Sequence, residues 1–157
     1  MELSKNAKRI QEELKKFKDG FEIIELPEST RTSLEAARVA KCELGQIAKA
    51  IIFESEKNEP VLVIASGSNR INEHKIEKII MQRIKKADAD FVKAKTGFPI
   101  GGVPPIGHKN KIKIFIDEDL MKFGEVWGAA GTSNAIFKLT PKELVRMTKG
   151  RIIDIKE

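Results

Sequence analysis

The stretch Pro60–Gly67, PVLVIASG, constrains the fold more than any other part of this chain. Its apolar side chains stand at consecutive positions, so an extended segment here presents apolar groups on both faces and belongs in the middle of a sheet. A second apolar run, AIIFES (50–55), precedes it across a hairpin-length connection. Further strands are predicted at 21–26 (FEIIEL), 111–117 (KIKIFID), 125–130 (EVWGAA), 135–140 (AIFKLT) and 151–155 (RIIDI). Helical patterns interrupt them irregularly. Leu3, Ala7, Ile10, Leu14 and Phe17 make one apolar stripe, predicting a helix over about 4–18 that Ser4 caps and Gly20 ends. Thr32 and Glu35 form a capping box for a helix running to about Ala40 and closing in a turn at Gly45. Residues 73–86 read as a helix buried through Ile76, Ile79, Ile80 and Ile84, and Thr140-Pro141-Lys142-Glu143 caps a last helix that stops at Gly150. With no internal repeat or linker, the expectation is one compact α/β domain over 1–157 with a mixed sheet, the N-terminal helix packing on it as an extension.

The chain is long enough to bury a core without disulfides or metal. Its single cysteine, Cys42, reads as a small packing residue, and no Cys/His cluster has metal spacing, so no metal and no cofactor is expected. No run of eighteen apolar residues is present, and the N-terminus carries acids in place of a signal-like apolar core. A cytoplasmic protein with no membrane partner is the simplest expectation. Twenty-nine Lys and Arg against 23 Asp and Glu give a net charge of +6. That excess supports a polyanion such as nucleic acid as partner and says nothing about catalysis.

Chemistry concentrates in TGFPIGGVPPIGH (96–108), where four of the eleven glycines and three of the six prolines fall within thirteen residues. Glycine lets a backbone approach a ligand closely, and proline stiffens the frame. Gly101 and Gly102 therefore offer N–H groups to an anion or oxyanion, or else the loop is a tight connection across the sheet. It matches neither a P-loop nor a dinucleotide fingerprint. The small-residue segment 128–134 offers hydroxyls and an amide from Thr132, Ser133 and Asn134 to a ribose or base, or is a plain hairpin turn. Lys49, alone in the apolar stretch IAKAIIF at the mouth of a strand, either needs an anion or points outward. His108 closes the loop as a candidate base or donor, and His74 reads as a surface residue. Asp117, Glu118 and Asp119 read as helix-capping acids. Lys85, Lys86, Lys93 and Lys95 before the loop, with Lys109, Lys111 and Lys113 after it, make either a solvated rim or a positive collar around a cleft.

Four segments, TSLEAARVAKCELGQIAKAIIF (32–53), TGFPIGGVPPIGH (96–108), IFIDEDL (114–120) and VWGAAGTSNAIFKLTPKEL (126–144), together resemble the YbaK/EbsC family of prolyl-tRNA-synthetase-associated editing domains. The resemblance implies a mixed, partly barrel-like sheet surrounded by helices. It implies hydrolysis of wrongly charged aminoacyl-tRNA, with the tRNA acceptor end and an aminoacyl-tRNA synthetase as partners. It maps the family lysine that holds the 3′-terminal nucleotide onto Lys49, and the glycine pair facing the scissile ester onto Gly101 and Gly102. Thr96, Gly97, Pro105, Gly107 and His108 of the loop, and Gly131, Thr132, Ser133 and Asn134 of the late turn, become substrate-binding candidates. Two departures stand out. Ala129-Ala130-Gly131 replaces the Ser-Gly-Gly of some bacterial members, and His108 is not a fixed family position. No protein nucleophile is evident, so water, the ribose hydroxyl or a substrate side chain is the candidate attacker. A non-catalytic tRNA- or RNA-binding domain of the same fold is the alternative.

Overall fold

The computed structural model describes residues 2–157. Five α-helices, α1 (Lys5–Lys15), α2 (Ser33–Ala40), α3 (Glu73–Ile80), α4 (Ala89–Thr96) and α5 (Pro141–Thr148), accompany eight strands. These are β1 (Ile23–Glu25), β2 (Ile47–Ser55), β3 (Pro60–Ser66), β4 (Ile84–Lys86), β5 (Lys113–Asp117), β6 (Val126–Ala129), β7 (Ala135–Leu139) and β8 (Arg151–Ile153). The sheet order is β1-β7-β6-β2-β3-β5-β8, with β4 also pairing β2. β2 is antiparallel to β3 and β4 but parallel to β6, and β5 runs parallel to both β3 and β8, so the sheet is mixed.

β3 sits between β2 and β5 and is covered on both faces. Leu62 and Ile64 enter the largest core cluster, against Ala7, Ile10 and Leu14 of α1, Val92 of α4 and Leu144 of α5. Val61, Val63 and Ala65 enter a second cluster with Ile76 of α3 and Phe115 of β5. Both faces of PVLVIAS are thus spent on packing. A third, smaller cluster joins Ala36 and Ala37 of α2 to Ile47 and Ile136.

Both capping boxes form: Thr32 with Glu35 and Thr140 with Glu143 each exchange side-chain-to-backbone bonds. Other boundaries differ from expectation. The helix predicted over 73–86 ends at Ile80, because Met81 takes a left-handed conformation (φ 59°) and the chain turns. Ile84 then pairs with Ser55 as the first residue of β4, its N–H donated to the Glu77 carboxylate at 2.9 Å. An isoleucine four residues beyond Ile80 satisfies helical and strand patterns alike, which is why periodicity extended the helix. α4 had no counterpart in the expectation; Asp88 caps its start and Gly97 (φ 86°) its end. α1 stops at Lys15 with Lys16 as its cap, and Gly20 lies beyond it in the connection to β1. β2 begins at Ile47, so Lys49 lies inside the strand and not at its mouth. Asp117 does more than cap the short 3-10 turn that follows it. Fully buried, it accepts Ser66 N–H at 2.9 Å, Asn69 Nδ2 at 2.8 Å and Asp119 N–H at 2.9 Å, tying the end of β3 to the end of β5.

Candidate active site

The most informative feature of the sheet is a place where it is not paired. β6 accompanies β2 only through Ile47↔Trp127 and Ala48↔Gly128, and β4 joins the same edge only from Phe53↔Lys86 onward. Between them the edge of β2 is uncovered. Gly67 N–H donates to Ile47 C=O, and Ala87 N–H donates to Ile52 C=O from the opposite side. Backbone groups alternate along a strand, so odd-numbered residues of β2 bond toward β3 and even-numbered ones toward the gap. The N–H and C=O of Ala50 therefore face the gap, in line with neither ladder.

A cavity of about 250 Å³ opens at this gap. Its floor is β2 from Ile47 to Ile52; Thr30–Ser33 and Ala36, Trp127–Ala129, and Ile100, Gly101 and Val103 form walls, and Lys86, Ala87 and Val92 close one end. The walls are largely aliphatic. Three cations, Arg31, Lys49 and Lys86, line the cavity, and no aspartate or glutamate does. None of the three takes part in an ion pair among the described residues. Lys49 shares a face of β2 with Ile47, Ile51 and Phe53, and its side chain is exposed. Unneutralised cations beside apolar walls favour a ligand with a short uncharged part and an anionic part.

The Gly-Pro loop reaches the cavity through a turn. Gly102 N–H donates to Pro99 C=O at 3.0 Å, and Gly101 sits at the third position with φ 84°, as a type II turn requires. Gly101 N–H has no partner among the described residues, and Gly101 lines the cavity. Gly102 does not: besides its engaged N–H, its C=O accepts Gly131 N–H at 2.9 Å, and a Cβ there would stand 2.6 Å from the Thr132 backbone. The two glycines thus have different work. One presents an amide; the other lets two loops touch.

Some of the remaining expected residues support this wall from behind. Thr96 is fully buried, its hydroxyl donating to Val92 C=O at 2.7 Å and accepting Phe98 N–H at 3.0 Å. Gly97 ends α4. Gly131 accepts Asn6 Nδ2 at 3.0 Å, Ser133 C=O accepts Thr30 N–H at 2.7 Å, and Thr132 Oγ1 donates to Glu25 and accepts Asn134 N–H. Pro105, Gly107 and His108 face a separate, broader groove with Lys111 and Lys113. There His108 Nε2 donates to Pro104 C=O at 2.6 Å, and burial lowers the pKa of the ring from its usual 6.5. So the expected lysine collar does not gather around one cleft: Lys86 lines the cavity, Lys111 and Lys113 the other groove, and Lys85, Lys93, Lys95 and Lys109 neither, while His108 holds the loop's own backbone. Cys42 is half-buried beside the third core cluster, away from the cavity lining.

Of the residues and segments singled out from sequence, Thr32, Lys49, Lys86, Gly101 with its loop neighbours Ile100 and Val103, and Gly128 with Ala129 line the cavity. Arg31, Ser33, Ala50 and Trp127 join them without having been expected. Among the described residues no helix is long and apolar enough to cross a membrane.

Comparison with known proteins agrees with this architecture. The protein YwhH of Bacillus subtilis (strain 168) is 30% identical over 135 residues, spanning 85% of this chain and 86% of that protein. EbsC of Enterococcus faecalis (strain ATCC 700802 / V583), provisionally named a Cys-tRNA(Pro)/Cys-tRNA(Cys) deacylase, is 24% identical over 72% of this chain and 70% of its own. A crystal structure of a protein provisionally named a trans-editing enzyme for prolyl tRNA synthetase superposes with a TM-score of 0.93 at 41% identity, covering 99% of each chain. The family profile described as aminoacyl-tRNA editing domain matches residues 27–147, from the proline that ends β1's segment to the last turn of α5. The chain belongs to the aminoacyl-tRNA editing domain family.

Proposed function

We propose that this protein acts in trans as an aminoacyl-tRNA deacylase, hydrolysing the ester that joins a wrong amino acid to the 3′ end of a tRNA. One observation carries the reading: an apolar cavity lined by three unpaired cations and an unused glycine amide, with no carboxylate among its walls. An aminoacyl-tRNA end has the matching parts, a short acyl group joined to a polyanion. Lys49 and Arg31 hold the phosphates of the terminal nucleotides, and Lys86 extends the positive rim. Gly101 N–H donates to the ester carbonyl and holds the negative charge that develops on its oxygen. Water adds to the carbonyl carbon, the ester C–O bond breaks, and the departing ribose oxygen takes up a proton, releasing the free amino acid. An ester needs less acid–base assistance than an amide, and the neighbouring ribose hydroxyl can relay the proton. The absence of histidine and carboxylate from the cavity walls is compatible with that chemistry. The names of two relatives point to cysteine esterified to tRNA(Pro) or tRNA(Cys) and to prolyl-tRNA synthetase, which supports a place beside that synthetase.

The test is a panel of mischarged tRNAs incubated with the wild-type protein and Lys49→Ala. Wild-type release of the amino acid from at least one of them, lost in Lys49→Ala with an unchanged circular-dichroism spectrum, is the expected result. Salt-sensitive tRNA binding with every ester left intact would make the protein a binder and not a hydrolase.

A further inference from the structure

Two backbone carbonyls at the gap in the sheet have no bond to accept. β6 bonds β7 through its even-numbered residues, since Ala130 N–H donates to Ala135 C=O, so Ala129 turns its own groups toward β2. The ladder between β2 and β6 ends at Ala48↔Gly128, and one more rung would have joined Ala50 N–H to Ala129 C=O. That rung is missing, and β4 reaches β2 only from Phe53 onward. Ala129 C=O and both backbone groups of Ala50 are therefore left without partners among the described residues. Both residues line the cavity. A side-chain hydroxyl rotates to suit its surroundings, but a strand carbonyl points where the backbone sets it.

The cavity's side chains offer a donor little. The side-chain oxygens in its lining belong to Thr30, Thr32 and Ser33. Thr30 Oγ1 donates to Ser133 C=O, Thr32 Oγ1 is held by Glu35, and Ser33 Oγ lies 3.0 Å from where a Cβ on Gly67 would stand. Arg31, Lys49 and Lys86 bring only donors, which suits phosphate. The work is thus divided, with cationic side chains for an anion and backbone carbonyls for a donor. A phosphate or carboxylate at the carbonyls would meet them acceptor to acceptor. An apolar side chain there would leave them bare, at the cost of unsatisfied polar groups. Water serves in the empty cavity, and a ligand that displaces it has to return a donor. In an aminoacyl ester that donor is the α-amino group. It is attached to the carbon next to the ester carbonyl and carries two N–H bonds even when uncharged.

We propose that Ala50 C=O and Ala129 C=O form the subsite for the α-amino group of the aminoacyl ester, so that the protein acts on free aminoacyl groups and discriminates against those whose amine is acylated or replaced. The subsite rests on the deacylase reading and adds the class of acyl group: unblocked amino acids, not peptidyl or hydroxyacyl chains. It also accounts for where the ladder stops. A further rung between Ala50 and Ala129 would consume one of the two acceptors and narrow the gap.

The experiment takes each aminoacyl-tRNA that the wild-type protein hydrolyses and compares its kcat/KM with those of the α-hydroxyacyl and N-acetyl-aminoacyl esters of the same side chain on the same tRNA. Each value is divided by that ester's spontaneous hydrolysis rate, because the amine also activates the carbonyl. The α-hydroxyl keeps one donor in nearly the same volume, so the aminoacyl ester is expected to lead it by about tenfold, as one hydrogen bond provides. The N-acetyl ester is expected to fall at least as far. A second readout places the amine. The carbonyl ¹³C resonances of Ala50 and Ala129 are expected to move downfield with 3′-deoxy-3′-(alanylamino)adenosine, whose amide link resists hydrolysis, and not with its propionyl counterpart. Equal corrected rates for the aminoacyl and hydroxyacyl esters overturn the subsite and leave the deacylase reading standing. So does a preference for the amine with both carbonyl resonances unmoved, or moved alike by the two adenosine derivatives. No turnover of any ester by the wild type brings down both readings.

Discussion

The side chain of Arg31 lies against Gly101: a methyl group on that glycine would stand 2.5 Å from Arg31 Cγ. The contact joins the segment before α2 to the Gly-Pro loop across the mouth of the cavity, and it sets a cation beside a loop amide that has no partner. Gly101→Ala therefore does two things. It strains a backbone at φ 84°, at a cost of about 1 kcal/mol, and it displaces Arg31. Because the donor and the cation both move, deacylation is expected to fall about 10²-fold, within the range for loss of an oxyanion donor. Arg31 is exposed and flexible, so the fold survives. Steady-state kinetics with a denaturant melt measures both effects.

Gly102→Ala is the contrasting case. Its methyl would meet the carbonyl carbon, Cα and oxygen of Thr132 at 2.6–2.8 Å, and a backbone cannot swing aside as a side chain does. Destabilisation exceeding that of Gly101→Ala, about 2 kcal/mol or more, is expected from urea unfolding. A Gly102→Ala protein as stable as the wild type would mean that the two loops do not touch in solution.

Removing the cations one at a time should be visible in the salt dependence. Each phosphate contact to a single strand contributes about 0.7 to the slope of log affinity against log salt. Arg31→Ala and Lys86→Ala are each expected to reduce the slope of log KM by about that amount. Lys85→Ala, whose ammonium lies 4.0 Å from Glu54 and outside the cavity, serves as the comparison.

Asp117→Ala tests the joint between β3 and β5. Ser66 N–H would lose its buried acceptor and Asn69 one of its two carboxylate partners, Asp119 remaining, so a loss of about 3 kcal/mol is expected, a Tm lower by about 6–12 °C. Asp117→Asn keeps one acceptor oxygen and should fall between.

Stability should also depend on His108. Burial holds its folded-state pKa below the usual 6.5, which the unfolded chain retains, so the neutral ring is the form the fold favours. As pH falls through 6.5 the unfolded state takes up a proton that the folded state resists, and stability drops until the folded-state pKa is passed. At higher pH the contribution is fully present. His108→Gln, able to donate to Pro104 C=O but unable to titrate, should flatten the decline between pH 7 and 5 in melts followed by circular dichroism.

Where chemistry is local, the sequence was readable. PVLVIAS had to be central because both of its faces are apolar, and Thr32 with Glu35 and Thr140 with Glu143 mark helix starts through contacts three residues apart. Ile84 shows the limit: a position four residues after Ile80 fits either period, and only the pairing with Ser55 decides it. The site was partly legible for the same reason. Lys49 and Gly101 are conspicuous as a cation in an apolar run and a glycine in a proline frame. Gly102 looked equivalent to Gly101 until Gly131 and Thr132 packed on it. Arg31 and Ser33 lie in an ordinary polar stretch, and nothing local separates them from Ser29 or Thr30. Ala50 carries no side-chain signal at all, because its importance depends on where two other strands stop.

The unpaired edge of β2 has one more consequence. Free strand edges invite other chains to add on and seed aggregation, and proteins ordinarily blunt or cover them. Here β6 stops after Ala48 and β4 starts at Phe53, so the opening is four residues long and closed at both ends. An intruding strand finds no room to form a ladder there, because Ile52 C=O is already taken by Ala87 N–H and only Ala50 is left with both its backbone groups toward the gap. A small acyl group or a single nucleotide does. The length of the interruption is itself a filter, admitting a molecule of ligand size to the backbone while denying it to another polypeptide.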